Sequence, residues 1–491
     1  MALNSSAQPH FVLIPFMCQG HLIPMIDIAR LLADRGVIVT VIATPKNVAR
    51  FSSSIDAAIE SGLAIRVEQL RFPAAEVGLP EGCETLDNIP SMELMSNFYA
   101  ALRLMQQPVE KMFEGLKPRP SCIIYDRNFT WIVETASKYR IPRIWFDGKN
   151  CFSNLCCHNV TKYKVQESVS KGETFTVPEL SDRIEFTAAQ LPVNLNSGSS
   201  FMKEQMEKTM EAEGGANGVI VNSFEELETE YFESLAKAKK QNVWCIGPVS
   251  LSNNNNLYNA RRGNETLSTD ENRCLKWLDS WPPSSVIYVC FGSLNRLTPT
   301  QLFELGLALE ESKRPFIWVI RGGYKKEEME ECLKEDGFEE RIKGRGLLIR
   351  GWAPQVLILS HPSIGGFLTH CGWNSTLEGI CAGVPMITWP LFSEQFMNEK
   401  LLVQILKVGV GVGVEVAVPM GEEEFGATVK KEEIMKAVEC LMEEGDEGED
   451  RRKRANKLAE MASRTVEEGG SSYINITLLI EYVMQQATGG Y

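Results

Sequence analysis

A chain of 491 residues exceeds the roughly 250–300 at which single hydrophobic cores stop growing, so two domains are expected. With 44% hydrophobic and 23% charged residues the composition is that of a globular protein, and a net charge of −14 excludes the basic footprint of a nucleic-acid or anionic-membrane partner. Thirteen cysteines, single apart from Cys156-Cys157 and without repeated C-x-x-C spacing, indicate reduced thiols and a cytoplasmic protein.

The opening "MALNSSAQPHFVLIPFM" has neither the basic start nor the apolar core of a secretory signal. No apolar run approaches the roughly 20 residues of a membrane helix, so no integral membrane segment is expected. "HFVLIPF", "HLIPMIDIARLLADRG" and "VIVTVIATP" predict strand, helix and strand with Gly36 as the stop, a βαβ unit opening an α/β domain. "PSCIIYDRN" and "IPRIWFDG" predict later strands of the same sheet, ending in polar residues where a parallel sheet places its sites. Cys156-Cys157-His158 is no metal site, because three adjacent residues cannot converge on one tetrahedral ion.

Over residues 250–271 the apolar periodicity gives way to Asn, Ser and charge, which predicts an exposed linker between a domain over 1–249 and a second over 272–470. "SVIYVCFGS", "TPTQLFELGLALEES" and "RPFIWVIRG" restart the strand–helix–strand pattern. "SSYINITLLIEYVMQQ", within 471–491, predicts a terminal helix packed on one domain or bridging both.

The densest chemistry lies from Trp352 to Gln395. "GLLIRGW" and "IGGFLTH" predict strands, "PQVLILSH" a short helix, and "CGWNSTLEGICAG" a helix that starts at Asn374, Ser375 and Thr376 and ends by Gly383. Such a start is either a plain N-cap or an anion site, where free N–H groups meet the positive end of the macrodipole. An aromatic base can stack on Trp352, a diphosphate can sit on the helix start, and Glu394-Gln395 can hold vicinal hydroxyls. Base, diphosphate and sugar together describe a nucleotide-sugar. His21 begins the first helix, where it serves either as a cap or as a base kept neutral by the macrodipole.

The 44-residue block Trp352–Gln395 resembles the signature box of plant small-molecule UDP-glycosyltransferases in its length, its opening Trp, its "HCGWNS" centre and its closing "EQ". The similarity extends along the chain through "GHLIPMIDIARLLA", "EVGLPEGCETLDNIPS", "GVIVNSFEELE", "CLKWLDS" and "VIYVCFGS", nearest the branch acting on flavonoids, terpenoids and plant hormones. The resemblance implies a GT-B architecture, two Rossmann-like domains facing across a cleft, and an inverting enzyme that takes UDP-glucose as co-substrate and acts as a monomer. It implies that Trp352 and Ala353 hold uracil, that Gln355 and Glu378 hold ribose, and that Ser293, His370, Asn374 and Ser375 bind the diphosphate. Trp373, Glu394 and Gln395 would face the sugar, the closing Gln resembling glucose users. His21 matches the general base and Asp126 the aspartate that orients it, with no metal required. Gln19, Phe146, Asp147 and Phe392 are the expected acceptor contacts. Arg127 departs from the apolar residue usual beside that aspartate, which raises the question of whether it draws Asp126 away from His21.

A dehydrogenase is disfavoured because "MCQGH" lacks the G-x-G-x-x-G turn. A cysteine hydrolase on His370-Cys371 fails because strand neighbours point to opposite faces. A catalytically silent binder of the same fold would have lost His21, Asp126 or the box.

Overall fold

The computed structural model describes residues 8–170, 172–196, 200–252, 262–263, 270–294, 297–320, 337–418, 426 and 428–488. Two parallel sheets carry the chain. The first runs in the order β3-β2-β1-β4-β5-β8-β9, from β1 (His10–Ile14), β2 (Ile38–Ala43), β3 (Ile65–Gln69), β4 (Cys122–Asp126), β5 (Arg143–Asp147), β8 (Gly218–Val221) and β9 (Asn242–Cys245). A small antiparallel pair, β6 (Thr174–Thr176) and β7 (Glu185–Thr187), stands apart. The second sheet runs β12-β11-β10-β13-β14-β15, from β10 (Val286–Cys290), β11 (Phe316–Ile320), β12 (Gly346–Arg350), β13 (Ile364–Thr369), β14 (Met386–Thr388) and β15 (Gly409–Gly411). Helices cover both faces, so the central strands "HFVLI", "CIIYD" and "VIYVC" are buried throughout, as their unbroken apolar runs require.

Each sheet reverses its strand order once, between β1 and β4 in the first and between β10 and β13 in the second. A crevice opens at the carboxyl ends of the strands at such a switch point. The loop after β1 leads into the helix Gln19–Asp34, which carries His21, and β4 ends on Asp126. The loop after β10 carries Gly292-Ser293, and the loop after β13 carries His370 and the start of the helix Trp373–Cys381.

The two crevices face each other across a hydrogen-bonded interface. The Asn374 amide donates to the Gly20 carbonyl at 2.6 Å and the Trp373 indole to the Asn222 carbonyl at 2.7 Å. Asn150 and Ser153 both donate to the Asn398 amide oxygen at 2.9 Å. The last helix, Ser471–Thr488, lies on the first domain, where Ile476, Leu479, Ile480 and Val483 join the core of β1 and β2. The Asn475 amide donates to the Cys245 carbonyl at 3.0 Å.

Most of the predicted linker, residues 253–261 and 264–269, lies outside the described residues. Its described middle departs from the exposed character expected of it, since Arg262 and Gly263 are buried between the domains. The physical reason is charge, because Arg262 meets a carboxylate from each domain.

Candidate active site

His21 sits in the first turn of its helix, 28% exposed, and its Nδ1 lies 2.6 Å from Oδ2 of the fully buried Asp126. A carboxylate only accepts, so Nδ1 carries the proton and Nε2 is left with a lone pair. The Asp126 carboxylate is itself held, because the Asn128 backbone N–H and side-chain amide donate to Oδ1 at 3.0 and 2.7 Å. The Tyr99 hydroxyl in turn donates to the Asn128 oxygen at 3.0 Å. Burial works against an imidazolium at His21, yet the charge and hydrogen bond of Asp126, with Asp147 and Glu394 further off, hold its pKa above the ordinary value of 6.5. Gly148 lies against the imidazole, where a Cβ would come within 3.3 Å of Cε1.

Arg127 does not take Asp126. Its guanidinium reaches Asp147 at 2.9 Å and Glu213 at 2.6 Å, and Lys149 adds a contact to Asp147 at 3.4 Å. Despite burial, Lys149 and Arg127 keep the Asp147 carboxyl well below the usual carboxylate range. Replacing Arg127 with Met removes the cation shared by two buried carboxylates, Asp147 keeping Lys149 at 3.4 Å and Glu213 keeping Lys239 at 2.7 Å, and is expected to lower unfolding free energy by about 1.5–3 kcal/mol in denaturant titration. A loss under about 1 kcal/mol would mean the cluster is solvated.

A cleft of about 220 Å³ runs from His21 into the second domain. It is lined by Gln19, Ser293, Trp352, Ala353, Gln355, His370, Trp373, Asn374, Ser375, Glu378, Phe392, Glu394 and Gln395, so all eleven box and loop residues expected at the donor site converge there. The helix Trp373–Cys381 has Gly372 at its N-cap, which offers no side chain to cap it, and Gly372, Trp373, Asn374 and Ser375 of its first turn line the cleft. The Gln355 amide bridges Ser375 Oγ at 3.0 Å and Glu378 Oε2 at 2.7 Å. Cys371 and Ser393, on the loops flanking the cleft, hold left-handed backbone at φ 63 and 57, a strain typical of binding loops. At Gly292, φ is +79 and a Cβ would come within 2.6 Å of the His370 ring. Gly292→Ala therefore costs about 1–3 kcal/mol by thermal or chemical unfolding, or displaces His370. Unchanged stability together with unchanged UDP binding would contradict this packing.

Some expected roles change. Phe146 is 0% exposed, within the core that the sheet shares with the first and last helices, so it offers no surface to an acceptor. Asp147 is also buried, and its charge is taken by Arg127 and Lys149. The single indole donor of Trp373 is engaged by Asn222 across the interface and cannot also bond a sugar hydroxyl. The Gln395 side-chain oxygen Oε1 accepts from the Leu391 and Phe392 backbone N–H groups at 2.9 and 3.1 Å, which shapes the loop and leaves only the side-chain nitrogen for a ligand. Cys371 is fully buried, and burial pushes its thiol far up, consistent with no nucleophilic role.

Two families match the chain in consecutive parts: "Glycosyltransferase, N-terminal domain" over residues 8–251 and "UDP-glucoronosyl and UDP-glucosyl transferase" over residues 272–439. UDP-glycosyltransferase 73C6 of Arabidopsis thaliana is 52% identical, with 99% of each chain covered. UDP-glycosyltransferase 73C3 of the same plant is 54% identical, with 97% of each covered. The chain belongs to the plant UDP-glycosyltransferases. Among solved structures of these transferases, Glycyrrhiza uralensis UGT73P12, complexed with glycyrrhetinic acid 3-O-monoglucuronide, superposes with a TM-score of 0.91 at 38% identity, covering 98% of this chain and 96% of that one. Medicago truncatula UGT71G1, complexed with UDP-glucose, superposes at 0.77 with 25% identity, covering 97% and 98%. The two-sheet arrangement is thus the GT-B fold, and the chain is a glycosyltransferase.

Four contributors to the site escape the motif reading of this glycosyltransferase. Asn128 follows the aspartate by two positions, the spacing of an Asx turn, and that spacing was the available signal. Gly148 and Gly292 lie against imidazoles that approach from elsewhere in the fold, and Gly292 also holds a left-handed φ of +79. Arg262 had no signal, because a basic residue in a polar stretch reads as solvated.

Proposed function

We propose that this enzyme transfers glucose from UDP-glucose, with inversion, to a hydroxyl of a small lipophilic plant metabolite of flavonoid, triterpenoid or hormone type, giving a β-O-glycoside. The observation that carries the reading is the 2.6 Å His21–Asp126 pair at the edge of the same cleft that gathers the donor-box residues. The Medicago protein named above was solved with UDP-glucose, which supports that donor.

In this reading Trp352 and Ala353 hold uracil, Gln355 and Glu378 the ribose, and Ser293, His370, Asn374 and Ser375 the diphosphate. Glu394 and the free amide of Gln395 hold the sugar. The acceptor approaches past Gln19 and Phe392. His21 Nε2 takes the acceptor proton as the oxygen attacks the anomeric carbon, and Asp126 stabilises the imidazolium that forms. UDP leaves on the far side, its growing charge met by His370, hydroxyl groups and the N–H groups of the helix Trp373–Cys381. These protein groups supply the charge compensation, so the reading calls for no metal.

The test is incubation of the purified protein with UDP-glucose and a mixed panel of flavonols, triterpenoids and hormone alcohols, following glycoside mass and UDP release. Glycoside with stoichiometric UDP supports the reading. Absence of product with any UDP-sugar, despite measurable UDP binding, would leave a silent binder.

A further inference from the structure

We propose that Arg262 is a positioning residue for nucleoside recognition, fixing the Glu378 carboxylate in the orientation that accepts ribose hydroxyls and tying it to the helix that carries His21. The inference rests on the reading of Glu378 as a ribose contact.

The guanidinium is forked between the domains. Its Nε and one terminal nitrogen both lie 2.8 Å from Asp27 Oδ2, and the other terminal nitrogen donates to Glu378 Oε1. All three side chains are withdrawn from water, at 8%, 1% and 7% exposure for Arg262, Asp27 and Glu378. Asp27 lies on the helix Gln19–Asp34, the element that presents His21.

Glu378 is therefore gripped at both oxygens, Oε1 by Arg262 and Oε2 by the Gln355 amide at 2.7 Å. A carboxylate so held cannot rotate, yet each oxygen keeps acceptor capacity for a hydroxyl. Two vicinal hydroxyls of a ribose present the matching pair of donors. The next residue, Gly263, touches the other half of the nucleoside site: a Cβ there would come within 2.6 Å of the Trp352 ring and of Ile23. Buried ion pairs add little net stability compared with apolar packing, so fixed orientation is the physical gain from placing an arginine here. Lysine could not replace it, because a point charge does not fork between two carboxylates.

The experiment is calorimetric titration of UDP, 2′-deoxy-UDP and 3′-deoxy-UDP into the full-length protein, Arg262→Met and Arg262→Lys, with a thermal unfolding scan of each. The wild type is expected to prefer UDP over the deoxy analogues by about 10-fold or more. Arg262→Met should raise the Kd of UDP by about 10–100-fold and that of the analogues far less, which brings the preference to within about twofold. Arg262→Lys should recover only part of the preference. Equal weakening of all three ligands, or unchanged UDP affinity, would overturn the proposal and leave Arg262 a structural tie. If Arg262→Met does not fold, Asp27→Asn slackens the anchor while keeping the guanidinium, and an unchanged preference in that variant likewise overturns it. Wild type that binds UDP without preferring it to the deoxy forms removes Glu378 as a ribose contact, and this proposal with it. Wild type that binds no UDP contradicts the nucleotide-sugar reading itself.

Discussion

His21→Ala lowers kcat for glycoside formation by roughly 10²–10⁴-fold while UDP affinity stays within about threefold of wild type. The split follows from geometry. The imidazole lies on the first-domain side of the cleft, with Nδ1 committed to Asp126 and Nε2 as the remaining base. The donor-box residues come from the second domain and keep their own contacts, such as the Gln355 bridge to Ser375 and Glu378. Removing the ring removes proton abstraction and leaves nucleotide binding. Steady-state kinetics paired with UDP titration measures both. A variant that loses UDP binding in proportion to kcat would show that His21 holds the donor rather than the acceptor proton.

Asp126→Asn is expected to lower kcat by a comparable factor, up to about 10⁴-fold, with little change in fold. An amide in place of the carboxylate can present its NH₂ to Nδ1, which moves the imidazole proton to Nε2 and blocks the base. Asn128 sharpens the expectation, because its two N–H groups already donate to Oδ1 and favour a full acceptor at this position. The pH profile gives an independent readout. In the proposed mechanism His21 works as the free base, and Asp126 holds its pKa above 6.5, so wild-type kcat/KM should fall on acidification through an inflection above that value. Loss of the Asp126 charge removes the main influence that raises the pKa, so the residual activity of Asp126→Asn should have its acid limb at lower pH. An acid limb that stays in place in the variant would mean that another group sets it.

Much of the fold was legible because its signals are local. Parallel strands buried on both faces appear as "HFVLI" or "VIYVC", and the helix after "HCG" starts at Trp373, one residue ahead of its polar cluster. The cleft-lining residues were legible for a related reason, since switch-point loops fall at strand ends and strand ends are visible in sequence.

What escaped depends on contacts between distant segments. Phe146 lies one residue before the end of a strand beside the site, yet strand alternation turns it into the core that the sheet shares with the first and last helices, and only the sheet's orientation decides that. Arg127 pairs with both Asp147 and Glu213, and Glu213 lies far along the chain in the helix Ser200–Gly214. Trp373 looks like a sugar contact within its motif, but its indole is claimed by a carbonyl of the other domain. Arg262 is the clearest case. It sits in a stretch with no apolar period, and where it is buried it meets two carboxylates brought together by domain pairing.

One measurement tests the central claim most directly: the anomeric configuration of the glycoside formed from UDP-glucose, read from the proton NMR spectrum of the isolated product. A single displacement with His21 as base and UDP leaving from the opposite face converts the α-linked donor into a β-glycoside. A β product is the predicted result, and an α product would contradict the account, because it requires either two displacements or attack from the face that UDP leaves.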